Sequence, residues 1–272
     1  QESSALSLVE VSSRRQFFER SSSSTLGFSS LLFLDPMQAL AASDVRSRLT
    51  EDSLTQQQPS SRTLLQIPTS YPAFMEGTWE VTQMLTACQA PLGLQYLGGP
   101  NGDERIGAAS LAEAKSKLNR PVDLRLRYLR DDKDRIVEDR LYNTQERLNK
   151  FAGKPVVASV SYTRDLFTSQ DTAVFVQFRG PAAQKTFITC HHESVERGFP
   201  IADQTLWTGF EGQRSLFALT NESTAPPITT DTELIFEYEK IDENHVSGRL
   251  RIAGYLNPND RLYFDAARRA VT

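Results

Sequence analysis

The residues best suited to chemistry in this sequence are the consecutive Cys190, His191, His192 and Glu193. Thiolate, imidazole and carboxylate groups are the usual protein ligands of zinc. On an extended strand, however, successive side chains point to opposite faces, so Cys190 and His192 share a face and His191 does not. The remaining histidine, His245, is far away in sequence. We therefore predict no metal site and interpret the cluster as the end of an ordinary strand.

Sequence signatures of catalysis and nucleotide binding are missing. Residues 98–103 are glycine-rich but lack the Lys-Ser or Lys-Thr pair of a phosphate-binding loop. Neither the G-x-S-x-G of serine hydrolases nor the H-E-x-x-H of zinc proteases occurs. The formal net charge of −4 argues against nucleic acid as a partner, because phosphate binding needs a cationic excess. We predict a protein that is not an enzyme, has no catalytic residues and binds no nucleic acid.

The chain has two cysteines, Cys88 and Cys190. In an oxidising compartment a bridge between them would stabilise the fold by roughly 2–4 kcal/mol. The sequence does not give the distance between their Cα atoms, which decides whether a bridge can form. A disulfide and two separate buried thiols both remain open.

Composition divides the 272 residues into three zones. Residues 1–42 combine two arginines with an apolar run. Residues 43–70 are rich in Ser, Thr and Gln, which is typical of a linker or arm. Residues 71–272 hold both tryptophans and nearly all the aromatic residues. We therefore predict a targeting or anchor segment, a polar arm and one folded domain.

Period-2 hydrophobic patterns dominate the third zone and predict strands. The clearest segments are 156–162, 172–178, 185–190, 232–240 and 245–256. Short turns connect several of them, and a further hairpin is predicted between residues 124–130 and 135–143. The pattern predicts a mainly β fold: an antiparallel up-and-down barrel of about eight or nine strands.

Two helices are predicted beside these strands. Ser110 and Glu113 have the spacing of a capping box, in which each side chain bonds the other's free backbone N–H. Strong helix formers follow, so we predict an inserted helix over residues 110–119. A short C-terminal helix is predicted over residues 265–271.

Alternation along the strands assigns side chains to the two faces of the sheet. Five aromatic residues are expected inside the barrel, where they would fill it or line a small apolar pocket: Trp79, Phe175, Phe178, Phe187 and Phe236. A stripe on the outer face is formed by Arg125, Arg127 and Arg130. The stripe is either a solvated face or a docking surface for an acidic partner or anionic lipid head groups.

The N-terminal zone resembles a twin-arginine export signal. The pattern S-R-R-x-F is formed by Ser13, Arg14, Arg15 and Phe17. A moderately apolar run follows at 25–34, and Ala39 and Ala41 fit an A-x-A cleavage site. The resemblance implies the thylakoid lumen of chloroplasts or the bacterial periplasm, and the Ser- and Arg-rich leader favours the lumen. Cleavage after Ala41 and retention as an anchor both remain open.

The start of the folded zone resembles the lipocalin-like (calycin) superfamily. Gly77 and Trp79 form the G-x-W motif that opens the first strand in that family. The resemblance implies that Trp79 closes the base of a barrel and stacks on an arginine, which attracts the electron-rich face of the indole. The candidates for that arginine are Arg249, Arg251 and Arg261.

A second resemblance is to uncharacterised cyanobacterial and plastid proteins of the thylakoid lumen. The shared elements are W-x-V at Trp79 and Val81, PLG at 91–93 and D-R-x-x-N at 139–143. This resemblance implies a photosynthetic setting without a known activity.

These observations lead to two expected functions. The first is a non-catalytic accessory subunit of a photosystem or another thylakoid membrane complex, bound peripherally or weakly anchored on the lumenal side. The second is a carrier of a small apolar ligand in the barrel, such as a pigment, quinone or lipid. No cofactor is predicted apart from the bound pigment or lipid of the second hypothesis.

Overall fold

The computed structural model describes residues 9–15, 45–56, 69–163, 173–180, 185–195, 205–219 and 228–272. Of residues 9–15, 185–195 and 219 it describes the backbone. The predicted cleavage residues Ala39 and Ala41 lie outside the described residues.

The described residues contain ten strands that form one antiparallel series. They are β1 (Val9–Arg15), β2 (Gly77–Leu85), β3 (Pro121–Arg130), β4 (Ile136–Glu138), β5 (Val157–Thr163), β6 (Ala173–Phe178), β7 (Lys185–Val195), β8 (Leu206–Leu219), β9 (Ile228–Lys240) and β10 (His245–Tyr255). Their spatial order is β4-β3-β2-β1-β10-β9-β8-β7-β6-β5. All neighbouring pairs are antiparallel.

The period-2 pattern identified most of these strands. The segments predicted at 156–162, 172–178, 185–190, 232–240 and 245–256 are confirmed as β5, β6, β7, β9 and β10. The pattern does not predict β8, because Gly209, Glu211 and Gln213 occupy alternate positions where apolar side chains would be expected. It also does not predict β1, which lies in the leader between β2 and β10.

The mainly β, antiparallel fold is confirmed, whereas a closed barrel is not found. Within the described residues, no strand pairing joins the two ends of the series, β4 and β5. The gap is spanned by helix α2 (Arg140–Phe151), which packs against both β3 and β5. The described residues also contain the helices α1 (Glu104–Ser116) and α3 (Tyr263–Ala266) and two short 3₁₀ helices, Ala73–Met75 and Leu94–Leu97.

Helix α1 begins six residues before the predicted start. Its N-cap is Asp103, whose carboxylate accepts a hydrogen bond from the Arg105 N–H at 2.9 Å. Ser110 is buried in the middle of the helix, so the predicted capping box is wrong. An aspartate supplies the same acceptor as a serine, and here it lies earlier in the chain.

The predicted strand over residues 135–143 is correct only as far as Glu138. The Asp139 carboxylate then accepts a hydrogen bond from the Tyr142 N–H at 3.1 Å and caps α2. Leu141 and Leu148 lie two turns apart on the same face of the helix and pack against the apolar side of β5 and β6. The cap and this face favour a helix over a continued strand.

The C-terminal helix is also shorter than predicted. It ends after Ala266, because Ala267 and Arg268 adopt positive φ angles of 51° and 62°. The chain then runs beside residues 54–56. The Ala270 N–H donates to the Leu54 carbonyl at 2.7 Å, and Thr55 and Arg269 form an isolated antiparallel bridge. This contact replaces the remainder of the predicted helix.

Residues 45–56, which the sequence assigns to the polar arm, pack on the outer face of the sheet. Three buried apolar side chains of this segment, Val45, Leu49 and Leu54, join a core cluster with Phe210 and Ile235. We call residues 45–56 the outer strap. Arg48 of the strap forms a buried ion pair with Glu233 of β9, and Arg46 pairs with Glu237 at 2.7 Å.

Candidate functional site

The inner face of the sheet carries a cluster of stacked aromatic rings. Trp207 lies parallel to Phe236, with ring centroids 5.4 Å apart and planes 6° apart. Tyr71 covers this pair at 5.0 Å from Trp207 and meets Tyr128 edge-on at 4.8 Å. Tyr238 completes the cluster, 5.9 Å from Trp207. We call these five residues the aromatic cluster.

Strand register and two glycines make room for these rings. Gly209 on β8 faces Phe236, and Gly248 on β10 faces Tyr238. A Cβ atom on Gly209 would lie 2.8 Å from the Trp207 ring and 2.9 Å from Phe236. A Cβ atom on Gly248 would lie 2.7 Å from the Tyr238 ring. The rings therefore fill the space that side chains at the two glycine positions would occupy.

A buried carboxylate continues the same face of β8. Glu211 shares the side of Trp207 and Gly209 by strand alternation and is 2% exposed. Its carboxylate accepts hydrogen bonds from Arg140 on α2, Thr69 and Gln213, each at 3.2 Å. These contacts satisfy a charge that would otherwise be costly to bury.

A second carboxylate lies on the α2 side of the aromatic cluster. Glu138 at the end of β4 accepts hydrogen bonds from Arg147 at 2.5 Å and from the Asn143 amide at 2.9 Å. Arg140, Asn143 and Arg147 are spaced three and four residues apart, so α2 presents them on one face. We call Glu138, Arg140, Arg147 and Glu211 the charged network.

Burial raises the pKa of three phenols in the cluster. For Tyr71 burial is the main cause, and the Glu138 carboxylate raises its pKa further. For Tyr128 burial is again the main cause, followed by the neighbouring Tyr238 and Tyr71. Burial also raises the pKa of Tyr238. The three phenols therefore stay neutral at physiological pH and do not act as anionic nucleophiles or bases.

The charged network is electrically balanced. Two guanidinium groups face two carboxylates, and each carboxylate of the network accepts a hydrogen bond from one of the guanidinium groups. A carboxylate held in this way is a poor general base, because hydrogen bonds from the guanidinium occupy its lone pairs. The buried charges of the network therefore pair with one another beside the aromatic cluster.

Among the described residues, no group of three His, Cys, Asp or Glu side chains is placed to hold a metal ion.

Trp79 and Phe236 lie in the core where the sequence expects them. The Trp79 indole N–H donates to the Met75 carbonyl at 2.8 Å, and the side chain is 1% exposed. The cation–π contacts of the described side chains pair Arg48 with Phe210 and Arg127 with Tyr142. The expected stacking of Trp79 on Arg249, Arg251 or Arg261 is not among them.

Phe175, Phe178 and Phe187 are the other residues predicted to lie inside the barrel, and they do not all lie on the same face of the sheet. Phe178 packs with Val174 and Val176 on the inner face, beside α2. Phe187 lies at an inner register position, opposite Val176 and Phe217. Phe175 is paired with Ile188 and lies on the other face by strand alternation, so its placement in the interior is wrong.

The predicted arginine stripe is neutralised by neighbouring carboxylates. Arg125 lies 3.5 Å from Glu80, and Arg127 lies 2.5 Å from Asp139. Arg130 pairs at 2.7 Å with both Glu76 and Asp134. Arg130 is an even number of residues from Leu126 and Tyr128 along β3. It therefore lies on their face of the strand, opposite to Arg125 and Arg127.

The structure describes one cysteine of the possible disulfide with its side chain, and it describes the backbone of the two arginines of the predicted export motif. Cys88 is buried in a separate core cluster with Leu97, Ala114 and Val271. Cys190 lies in β7, where the backbone alone is described, so the disulfide remains a prediction. Arg14 and Arg15 of the export motif lie in β1, which is paired on both sides.

Sequence reasoning missed the charged network and Tyr71. The signal that was available is the polar spacing of Arg140, Asn143 and Arg147 on one helical face, next to Glu138. That spacing is informative only once residues 140–151 are known to be helical. Glu211 carries no comparable signal, because a lone glutamate in a strand is ordinarily exposed.

Fold and site define the class of this protein: a mainly β, antiparallel domain with an aromatic cluster on its inner face and a helix across the ends of its strand series. In the comparison with family models, residues 66–166 match a domain of unknown function (DUF6816). The matched segment contains Tyr71, Tyr128 and all members of the charged network except Glu211. No curated protein and no solved structure matches the chain.

Proposed function

We propose that this protein is a non-catalytic accessory subunit of a photosynthetic membrane complex, bound on the lumenal side of the thylakoid. The observation that carries this proposal is the filled inner face. Among the described residues, stacked rings and paired charges occupy the part of this face around Trp207 and Glu211, where a substrate or carried ligand would otherwise fit. The outer surface is then the part of the molecule available for function.

An exposed apolar patch supports docking through that surface. Phe264 on α3 is 84% exposed and stacks edge-on against Tyr263. Ile106 near the start of α1 is also exposed. The segments that precede the two helices are in contact, because the Arg261 N–H donates to the Pro100 carbonyl at 3.4 Å. We call Ile106, Tyr263 and Phe264 the helix patch; clustered exposed apolar residues mark interaction sites.

The helix patch is a better docking candidate than the arginine stripe. Each arginine of the stripe already pairs with a carboxylate of the same chain, which reduces the field available to an acidic partner. Exposed ion pairs of this kind contribute little to affinity. An exposed phenylalanine, in contrast, buries a large apolar area when a partner covers it.

The proposed compartment and anchoring rest on the leader. The S-R-R-x-F pattern and the A-x-A site support import into the thylakoid lumen, with the bacterial periplasm as the alternative. Among the described residues, no helix is long and apolar enough to cross a membrane. We propose a peripheral association through the helix patch, with any anchor supplied by residues of the leader.

A lipocalin-like origin of the domain is part of the proposal. The nine strands β2 to β10 follow one another as an up-and-down series, as in that family. Helix α2 spans the gap at which a barrel would close. We propose an opened lipocalin-like barrel whose seam is covered by a helix.

The proposal is tested by co-purification from gently solubilised thylakoid membranes. The tagged wild-type protein is expected to migrate with a photosystem or another large complex. Because central aromatic residues dominate interface energy, Phe264→Ser is expected to lower the bound fraction roughly tenfold or more. Ile241→Ser is the matched control, since Ile241 is 60% exposed but lies at the β9–β10 turn. Migration of the wild type as a free monomer would contradict the proposal.

The carrier function is the second candidate, and the aromatic cluster is the observation in its favour. Flat rings such as those of Tyr71 and Trp207 can stack on a pigment or quinone. Native mass spectrometry and an absorption spectrum of the protein purified from its own membrane test this candidate. A bound chromophore or lipid of fixed mass would favour the carrier over the accessory subunit.

A further inference from the structure

Strand β1 occupies an unusual position in the sheet. Elsewhere among the described strands, sheet neighbours are also neighbours in sequence: β2 to β4 form one group and β5 to β10 form another. β1 joins the two groups by pairing with β2 on one side and with β10 on the other. The leader segment therefore completes a sheet that the rest of the chain leaves divided.

Strand direction explains why this position needs a separate strand. β2 and β10 are both antiparallel to β1, so they run parallel to each other. In an up-and-down series of nine strands the first and last have the same direction and cannot pair in antiparallel fashion. A strand running the opposite way bonds to both edges with antiparallel geometry. The space between β2 and β10 is thus an acceptor for one extended segment.

The register of β1 adds charge complementarity to this main-chain pairing. Glu10 is the register partner of Arg249 on β10, and Arg14 is the register partner of Glu80 on β2. Opposite charges directly across a pair of strands are favourable, and here they add to existing ion pairs, because Arg249 and Glu80 also pair with Glu237 and Arg125. On the other face, Val9 lies between Leu85 and Leu250. The acceptor therefore matches a segment with apolar residues at its first and third positions, an acidic residue at the second and a basic residue at the sixth.

The connection to β1 is long. The 29 residues 16–44 separate the end of β1 from the outer strap, and a chain of that length can span about 100 Å when extended. A short turn, which fixes the partner of a strand in a hairpin, is not what holds β1 in place. Main-chain pairing and register are the contacts that the described residues show for β1, so another segment of the same pattern can compete for the position.

We propose that the space between β2 and β10 is a peptide-acceptor site, occupied in this chain by residues 9–15 and able to exchange them for an untethered extended peptide of the same pattern. The ligand class is an extended peptide with apolar residues at the first and third positions, an acidic residue at the second and a basic residue at the sixth. The proposal does not rest on the accessory-subunit function or on cleavage at Ala41.

Exchange is tested on the full chain after it has folded. A recognition sequence for a site-specific protease replaces residues 20–26, the folded protein is cut there, and excess fluorescent peptide of residues 7–17 is added. We expect the labelled peptide to replace the released fragment. The same peptide with Val11→Pro is the control, because proline removes a ladder hydrogen bond at the centre of the strand. Its affinity should be at least tenfold weaker.

Three outcomes of this experiment would overturn the proposal. The first is loss of the fragment on cutting without uptake of labelled peptide, while circular dichroism of the remaining chain is unchanged. The second is equal binding of the two peptides, which would indicate non-specific association. The third is a fragment that stays bound and does not exchange during a day of incubation.

The register is tested separately by disulfide trapping in the uncut chain. Ser12 and Thr82 are register partners on adjacent strands, so cysteines at these positions should oxidise to a cross-link that peptide mapping detects. Ser13→Cys with Thr82→Cys is the control, because residue 13 lies on the opposite face. Absence of the Ser12–Thr82 cross-link, or an equal yield in the control, would contradict occupation of the site by residues 9–15.

Discussion

Individual buried charges distinguish this protein from a simple apolar sheet. Glu211 and Arg140 face each other at 3.2 Å, with side chains 3% and 14% exposed. Such a pair stabilises a fold modestly compared with apolar packing, but removing one partner leaves the other charge buried without compensation. The network therefore makes the position of α2 over the sheet sensitive to single substitutions.

We predict that Glu211→Ala lowers the free energy of unfolding by about 3–5 kcal/mol, because Arg140 is left buried without its carboxylate. The double variant Glu211→Met with Arg140→Met should recover most of this loss. Urea unfolding of the single and double variants measures both values. Glu113→Ala, which removes an exposed pair with Lys117, should cost less than about 1 kcal/mol. A loss equally small for Glu211→Ala would show that the network is not energetically coupled.

At the scale of elements, side chains of α2 make hydrogen bonds to the backbone that a neighbouring strand would make in a continuous sheet. The Asn143 amide accepts from the Arg127 N–H at 2.7 Å and donates to the Arg127 carbonyl at 3.1 Å, on the edge of β3. The Asn149 side chain accepts from the N–H groups of Val156 and Val157 at 2.8 and 3.0 Å. These bonds satisfy backbone groups that a neighbouring strand would otherwise pair.

We predict that Asn143→Ala lowers the free energy of unfolding by about 1–3 kcal/mol, because the Arg127 N–H loses its acceptor, whereas the Arg127 carbonyl keeps its hydrogen bond from the Asp139 N–H. Gln145→Ala is the matched control, since Gln145 carries the same amide on the exposed side of α2 and should change stability by less than about 0.5 kcal/mol. Urea unfolding measures both, and amide exchange at Arg127 should accelerate in the Asn143 variant. Unchanged exchange at Arg127 would contradict the edge-capping role.

At the scale of the whole molecule, the sheet is covered on both faces. The aromatic cluster and α2 cover the inner face, and the outer strap covers part of the outer face. Outer carboxylates of β9 pair with arginines from three different elements: Asp231 with Arg214, Glu233 with Arg48, and Glu237 with Arg249. The strap is therefore an integral layer of the folded domain.

We predict that Leu54→Ala in the outer strap lowers the free energy of unfolding by about 2–5 kcal/mol, as expected when a fully buried leucine leaves a cavity. Leu129→Ala is the control, because Leu129 is 44% exposed and should cost less than about 1 kcal/mol. Thermal and urea unfolding provide the measurement. Equal effects of the two substitutions would indicate that the strap does not pack stably on the sheet.

The sequence by itself determined the antiparallel β class and most of the strands. Alternation is a local property, so Trp79 and Phe236 could be assigned to the core from their neighbours along the chain. The interior placement of Phe175 failed because it lies three residues before Phe178, and an odd spacing puts the two rings on opposite faces. The arginine stripe failed in the same way at residue 130.

Only the tertiary structure decided which distant residues meet. Asp139 begins a helix where the pattern of residues 135–143 favours a strand, because an N-cap and an apolar face that packs on β5 and β6 outweigh the local alternation. The charged network joins β4, α2 and β8, which are separated by up to 73 residues from Glu138 to Glu211. Insertion of residues 9–15 between β2 and β10 follows from the direction of two strands that are far apart in sequence. Such pairings depend on which distant strands come together in the folded protein, and no local sequence pattern encodes that.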